Sequence, residues 1–146
     1  LVVEVLETHL LDETNLRVLH DIKALGVQVS IDDFGTGYSS LLYLKRLHAD
    51  SVKIDRALIA DIAVRREDRV IVTKVIELAH DLGITVIGEG IERAEQAEVL
   101  RDVGCDFGQG FLWSPAVSDT DFARLLATGF PPEGFPSLEE LSVVTT

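Results

Sequence analysis

Five apolar runs alternate with helical segments along the chain, and polar residues recur at or just beyond the carboxyl end of each run. These two observations predict an α/β fold made of parallel βα units. Such a sheet either stays open and doubly wound or closes into a barrel, and no G-x-G-x-x-G opens a helix after a strand here, so the dinucleotide-binding version lacks its fingerprint. The prediction is therefore a TIM-type (βα)8 barrel, present as a partial barrel of about five βα units. A complete barrel takes roughly 200–250 residues, and the 146 residues present supply a little over half.

Residues 1–7 form a β-branched run that reads as the first strand. Asp12 and Asn15 flank the start of a helical pattern that ends at Gly26. Residues 27–31 are the second strand, cut off by Asp32-Asp33-Phe34-Gly35-Thr36-Gly37. Ser39 and Ser40 can cap a short helix running to Leu47. Residues 51–55 are the third strand. The longest helix covers 66–82, with Val70, Ile71, Val75, Ile76, Leu78 and Ala79 at helical spacing and Gly83 as its stop. Residues 84–87 are the fourth strand, 94–103 a helix closed by Gly104, and 107–112 the fifth strand. Asp119 and Asp121 open a last helix that stops at Gly129. Residues 1–130 then form the barrel portion. The Pro- and Gly-rich stretch from Phe130 to Pro136 breaks regular structure, so 131–146 reads as a loose tail.

Composition narrows the functional classes. A chain 47% hydrophobic and 26% charged has a packed core and is not disordered. Thirteen Lys and Arg against 25 Asp and Glu leave a net charge of −12, which argues against binding a DNA or RNA polymer. The one cysteine, Cys105, excludes an internal disulfide and fits a reducing compartment. No apolar run reaches the roughly 18–20 residues that span a bilayer. The chain has no methionine and opens at Leu1 inside a strand, and so reads as a fragment.

The chemistry-bearing residues fall at one place in each unit. Glu4 and Glu7, Asp32 and Asp33, Lys53 and Asp55, Glu89 and Glu92, and Gln109 all lie at or just beyond the carboxyl ends of successive strands. In a parallel barrel those ends share the face where active sites are built. A lone carboxylate there is as well explained as a helix N-cap, but five strands in a row are not. Converging carboxylates repel one another and need cations. Hard oxygen ligands select Mg2+ or Mn2+ over zinc, for which one cysteine and scattered His9, His20, His48 and His80 offer no pattern. Asp32 and Asp33 could each hold one of two metals about 3.5–4 Å apart, an arrangement used for in-line attack on phosphate esters. Lys53 would counter the negative charge and orient water at the metals. Bound metals also let an acidic chain take an anionic nucleotide by inverting the local sign.

Other residues carry open readings. The segment Phe34, Gly35, Thr36, Gly37 is either a tight βα turn or a regulatory loop, with the glycines permitting positive φ. Cys105 reads as a small core residue, and most of the histidines as surface or packing residues. Trp113 and Pro115 either line a nucleotide pocket or pack at the barrel edge.

Residues 32–40 (Asp-Asp-Phe-Gly-Thr-Gly-Tyr-Ser-Ser), Val52-Lys53-Ile54-Asp55-Arg56, Gly88-Glu89-Gly90-Ile91-Glu92 and Gln109-Gly110-Phe111 together resemble the EAL family of cyclic di-GMP phosphodiesterases, in family order from Leu1 to about Pro115. The resemblance implies a (βα)8-type barrel that hydrolyses cyclic di-GMP to linear pGpG with two Mg2+ or Mn2+ ions. Carried over by motif, Glu4, Asp32, Asp33, Asp55 and Glu89 are metal-site carboxylates, and Lys53 positions the attacking water. Glu89 is the general base or a metal ligand, Glu7 steadies the loop after the Asp pair, Glu92 is a supporting acid, and Gln109 is a polar group at the site. The loop from Phe34 to Gly37 is implied to couple metal binding to a homodimer through the barrel. A cytoplasmic messenger implies a site facing the cytosol, even if a missing segment tethers the protein to a membrane, and an upstream sensor or cyclase-like domain is compatible with the resemblance. The family's Glu-Ala/Val-Leu signature, an Asn ligand and early substrate contacts belong upstream of Leu1, and Val5-Leu6 and Gly88 depart mildly from the family pattern. The isolated chain is expected to have little turnover and to associate through unpaired strands at Leu1 and Phe107. One alternative is a degenerate module that binds cyclic di-GMP or a protein partner without catalysis, against which stand the retained Glu4, Asp32, Asp33, Lys53 and Glu89. Another is an aldolase- or synthase-type barrel, for which Gly108 and Gly110 are too sparse a phosphate grip.

Overall fold

The computed structural model describes residues 1–35, 44, 46–129 and 142–143. Its strands are β1 (Val2–Leu6), β2 (Gln28–Phe34), β3 (Ser51–Ile54), β4 (Thr85–Gly88), β5 (Phe107–Gly108) and β6 (Ser142–Val143), all parallel and ordered in the sheet as in the chain. A 3-10 turn (Glu7–Leu11) follows β1, and the helices are α1 (Glu13–Ala24), α2 (Arg56–Ile59), α3 (Arg66–Asp81), α4 (Ala94–Asp102) and α5 (Asp119–Thr128). Strand order that follows chain order, with helical crossovers between neighbours, is the arrangement of a partial βα barrel.

Side-chain alternation sorts the sheet into two faces. The register sets Ile31 beside Val52, Val52 beside Val86, and Ile54 beside Gly88. Val29, Ile31, Val52, Ile54 and Val86 therefore share one face, all at 0% exposure, in one core with Leu16 and Leu19 of α1 and Val72, Ile76 and Ala79 of α3. Burying each such side chain stabilises the fold by about 1.5–3 kcal/mol. The same register leaves Glu4, Asp32 and Lys53 on the opposite face, with Glu89 and Gln109 one step beyond β4 and β5.

Several boundaries differ from the sequence expectation. β2 does not stop at Ile31 but runs through Asp32, Asp33 and Phe34, because Phe34 pairs with Ile54 across an irregularity in the register. The fifth strand is Phe107–Gly108 rather than 107–112. Past Gly108 the chain leaves the ladder, as Gln109 O accepts from Ile91 N and Leu112 N donates to Ile91 O. Nor is β5 an unpaired edge, since Ser142 and Val143 lie alongside it. They are the described residues of the segment expected as a loose tail. On α3, Val70 and Ile71 are exposed and Val72 takes the buried position. The 3-10 turn and α2 were not expected. Thr36, Gly37, Ser39 and Ser40 lie outside the described residues, while Leu44 and Leu47 of the expected short helix are helical and buried.

Two aspartates fasten the amino ends of the strands. Asp50, just before β3, accepts from Val29 N at 2.7 Å and from Lys23 Nζ of α1 at 2.5 Å. Asp106, just before β5, accepts from Val86 N at 2.7 Å and lies 2.9 Å from His80 Nε2 of α3. Burial alone would raise the Asp50 pKa, but the bonds from Lys23 and Val29 hold it below the usual carboxylate range. No helix among the described residues is long and apolar enough to cross a membrane.

Candidate active site

β3 places Lys53 on the inner face at 4% exposure, where an ammonium is tolerated only with counter-charges close by. Its Nζ lies 2.8 Å from Glu4 Oε1, 3.0 Å from Glu89 Oε1 and 3.5 Å from Asp32 Oδ1. Burial pushes the lysine pKa down, but the bonds to Glu4 and Glu89 and the charges of Glu89 and Asp32 outweigh it and raise the pKa above the ordinary value. The group stays charged. β1, β2, β3 and the loop after β4 thus each bring one member of an ion cluster to a single point.

Consecutive strand residues point to opposite faces, so a plain strand could not aim both Asp32 and Asp33 at this point. The backbone resolves this locally. Asp33 takes φ 55, a left-handed conformation that aspartate tolerates better than most residues, beside the register irregularity of β2. Asp33 N donates to Asp32 Oδ1 at 3.1 Å. As a result Asp32, Asp33 and Glu89 each bring a carboxylate oxygen within 4.8 Å of the others. Burial raises the Asp33 pKa, and repulsion from Asp32 and Asp55 adds to it against the pull of Lys53. Burial likewise raises Glu89, with Lys53 opposing and Asp32 adding.

Neighbouring groups hold these carboxylates. Gln109 Nε2 donates to Glu89 Oε1, while Gln109 Oε1 is buried with no hydrogen-bond partner among the described residues. Glu7 is 8% exposed, and its Oε2 accepts from Gly35 N at 3.0 Å, which ties β1 to the turn directly after the Asp pair. Gly35 itself has φ 102, as a turn of this kind requires. Asp55 and Glu92 lie at the margin. Asp55 caps α2 by accepting from Ala57 N at 2.7 Å, and Glu92 pairs with Arg56 Nη2 at 3.0 Å. Neither joins the three converging carboxylates, although the charge of Asp55 is felt by Asp33.

Trp113 packs against the core beside Gly108, in an apolar cleft that it shares with Ile91, Leu100 and Cys105. Cys105 packs there too, and burial pushes its thiol up to about 12. All four histidines are exposed.

Sequence reading missed Gln96. It is 3% exposed, accepts at Oε1 from Glu92 N at 2.9 Å and Arg93 N at 2.8 Å, and donates at Nε2 to Ala60 O at 3.1 Å and Ile59 O at 3.4 Å. The Arg93 guanidinium also donates to Ala60 O. Gly90, at φ 64, sits so close to Arg56 that an added Cβ would lie 2.7 Å from Arg56 Cβ. A Gln at the third position of a helix is the available signal, since it can reach back to the amides that precede the helix.

The donor set is all oxygen: three carboxylates around a lysine, with an unpartnered amide oxygen nearby and the soft Cys105 ligand packed elsewhere. That chemistry fits hard divalent cations. The model of the EAL domain family matches residues 1–116. The chain belongs to the EAL domain family. This EAL chain is similar to the bifunctional diguanylate cyclase/cyclic di-GMP phosphodiesterase MucR of Pseudomonas aeruginosa, at 47% identity over 100 residues, or 68% of this chain and 15% of MucR. Among solved structures it is similar to the EAL domain of Mycobacterium smegmatis DcpA, with TM-score 0.82 and 39% identity over 90% of this chain and 60% of that one. It is also similar to Klebsiella pneumoniae BlrP1 in a manganese and cyclic di-GMP complex, with TM-score 0.74 and 39% identity over 78% of this chain and 30% of that one. The chain spans less than two thirds of each of these proteins and is a partial EAL domain.

Proposed function

We propose that this chain is part of a metal-dependent phosphodiesterase that hydrolyses cyclic di-GMP to linear pGpG in the cytosol. The observation that carries the reading is the buried Lys53 held by Glu4, Asp32 and Glu89, with Asp32, Asp33 and Glu89 converging within 4.8 Å. Asp32, Asp33 and Glu89 would hold Mg2+ or Mn2+, with Glu4 on Lys53 and Asp55 at the margin as further carboxylates. When bound, such cations neutralise phosphate charge and make water a better nucleophile.

The chain's own residues supply the rest. Lys53 has three N–H donors, of which Glu4 and Glu89 hold two closely; the looser 3.5 Å contact to Asp32 leaves the third easiest to redirect to water or a phosphate oxygen. Glu89, held against Lys53 and Gln109, serves either as a metal ligand or as the base that takes a proton from the attacking water. Gln109 fixes the orientation of Glu89, and Glu7 fixes the turn after the Asp pair. In the reaction the water oxygen joins phosphorus, one P–O3′ bond breaks, and the 3′-oxygen leaves with a proton. The product is a linear dinucleotide with a 5′-phosphate.

The test is turnover of cyclic di-GMP by the full-length gene product with Mg2+ or Mn2+, with the products separated by chromatography. Linear pGpG is expected, and Lys53→Ala should lower the rate by about 10²–10⁴-fold. Wild-type protein that binds the nucleotide and leaves it intact would make this a receptor instead. Neither binding nor turnover would overturn both readings.

A further inference from the structure

We propose that Gln96 is a positioning residue that sets the separation of Lys53 and Glu89 by bracing the loop after β4 against the loop after β3. The inference rests on the phosphodiesterase reading of that pair. Lys53 and Glu89 touch at 3.0 Å, yet they come from adjacent strands whose ladder ends at Ile54 and Gly88, with one further bond from Glu89 N to Ile54 O at 3.0 Å. Beyond it the two segments part, one into α2 and the other into the turn at Gly90. Four contacts bridge them again. Gln96 Nε2 and the Arg93 guanidinium both reach Ala60 O, Arg56 pairs with Glu92, and Gly90 packs on Arg56.

Only one of these is sheltered from water. Arg56, Glu92 and Arg93 are exposed, where such contacts hold weakly. Gln96 is buried, and its amide uses both ends, with Oε1 gathering the Glu92 and Arg93 amides and Nε2 holding the Ile59 and Ala60 carbonyls. A neutral amide does both at once. A carboxylate at the same place can do only the first, and it would face two carbonyl oxygens. Gln96→Glu is therefore nearly isosteric, keeps the loop's own bonds and cuts the tie between the loops.

The experiment compares wild type with Gln96→Glu in the full-length gene product by two readouts. One is cyclic di-GMP hydrolysis with saturating Mn2+; the other is hydrogen exchange of the Glu89 amide in metal-free protein, with the Val29 amide as reference. The brace predicts that kcat falls about 10- to 100-fold with KM nearly unchanged. It also predicts that Glu89 exchange speeds about tenfold while Val29 exchange does not. Wild-type kcat in the variant, or unchanged Glu89 exchange, overturns the proposal. If wild type fails to turn over the nucleotide, the phosphodiesterase reading fails, and exchange at Glu89 still decides whether the brace exists. Should Gln96→Glu not fold, Gln96→Met removes the same tie without burying a charge and is read by the same two measurements; wild-type kcat or unchanged Glu89 exchange in it overturns the proposal equally.

Discussion

Without the Lys53 ammonium, Glu4, Asp32 and Glu89 would face one another with no positive partner among the described residues, at a point that strand pairing does not let them leave. Removing one member of a buried ionic set costs about 3–5 kcal/mol, so Lys53→Met should be less stable than wild type by that order in urea denaturation. Added Mn2+ should recover more of the loss in the variant than it adds to wild type, because the variant's carboxylates have no other counter-charge among the described residues. Equal stability of the two proteins would show that the cluster is not held as described. At this scale the sequence was informative about residue type and less so about use. Glu4, Asp32, Lys53, Glu89 and Gln109 were legible because the carboxyl ends of successive parallel strands share one face. Asp33 reaches the same point only through its left-handed backbone, which no spacing rule announces. Asp55 carries the same side chain at the same kind of place but spends an oxygen on Ala57 N, the N-cap role that a lone carboxylate at a strand end always admits.

Strands, helices and their order follow from alternating apolar runs, but what fastens one element to the next does not. Asp50 and Asp106 each stand just before a strand and accept from the backbone of the preceding strand and from a basic side chain of the helix that leads into that preceding strand. Their partners lie 20 to 27 positions away, beyond any local pattern; the repeated position before β3 and β5 was the visible trace. The Asp50 clasp makes a prediction in pH. Its folded-state pKa is lowered, so its contribution is fully present above the unfolded carboxylate value near 3.9 and fades as pH falls through the lower folded value. Because the side chain is about a third exposed, screening holds that contribution to about 1 kcal/mol. Asp50→Asn should thus lie below wild type at pH 7 in urea denaturation, with the gap closing as pH falls through the lowered folded-state value. A gap that is unchanged or wider in acid would contradict the clasp. The same long-range logic explains the misjudged strand ends. β2 extends through two aspartates because Phe34 finds Ile54, and β5 stops early because its next residues bond to the Ile91 loop.

The sheet as a whole has β1 at one edge, where Leu1 is 92%, Val2 50% and Leu6 39% exposed. An apolar edge strand with free backbone groups recruits another strand, so the 146-residue chain alone should self-associate in light scattering. A monodisperse monomer would contradict this. The other edge was misread, since β6 covers β5, and pairing by a segment so distant in sequence could not be foreseen from composition. What was legible globally was the βα rhythm and the shared face it creates, together with the charge conflict that a net −12 raises for an anionic ligand. Divalent cations held at the carboxylate cluster, as proposed, would resolve that conflict, and the proposed function depends on them. The most direct test is cyclic di-GMP turnover by the full-length gene product, first with Mn2+, then with excess EDTA, then with Mn2+ restored. The account predicts hydrolysis, its loss and its return, each step absent in Lys53→Ala. Turnover that continues in EDTA, or that survives the loss of Lys53, would contradict it.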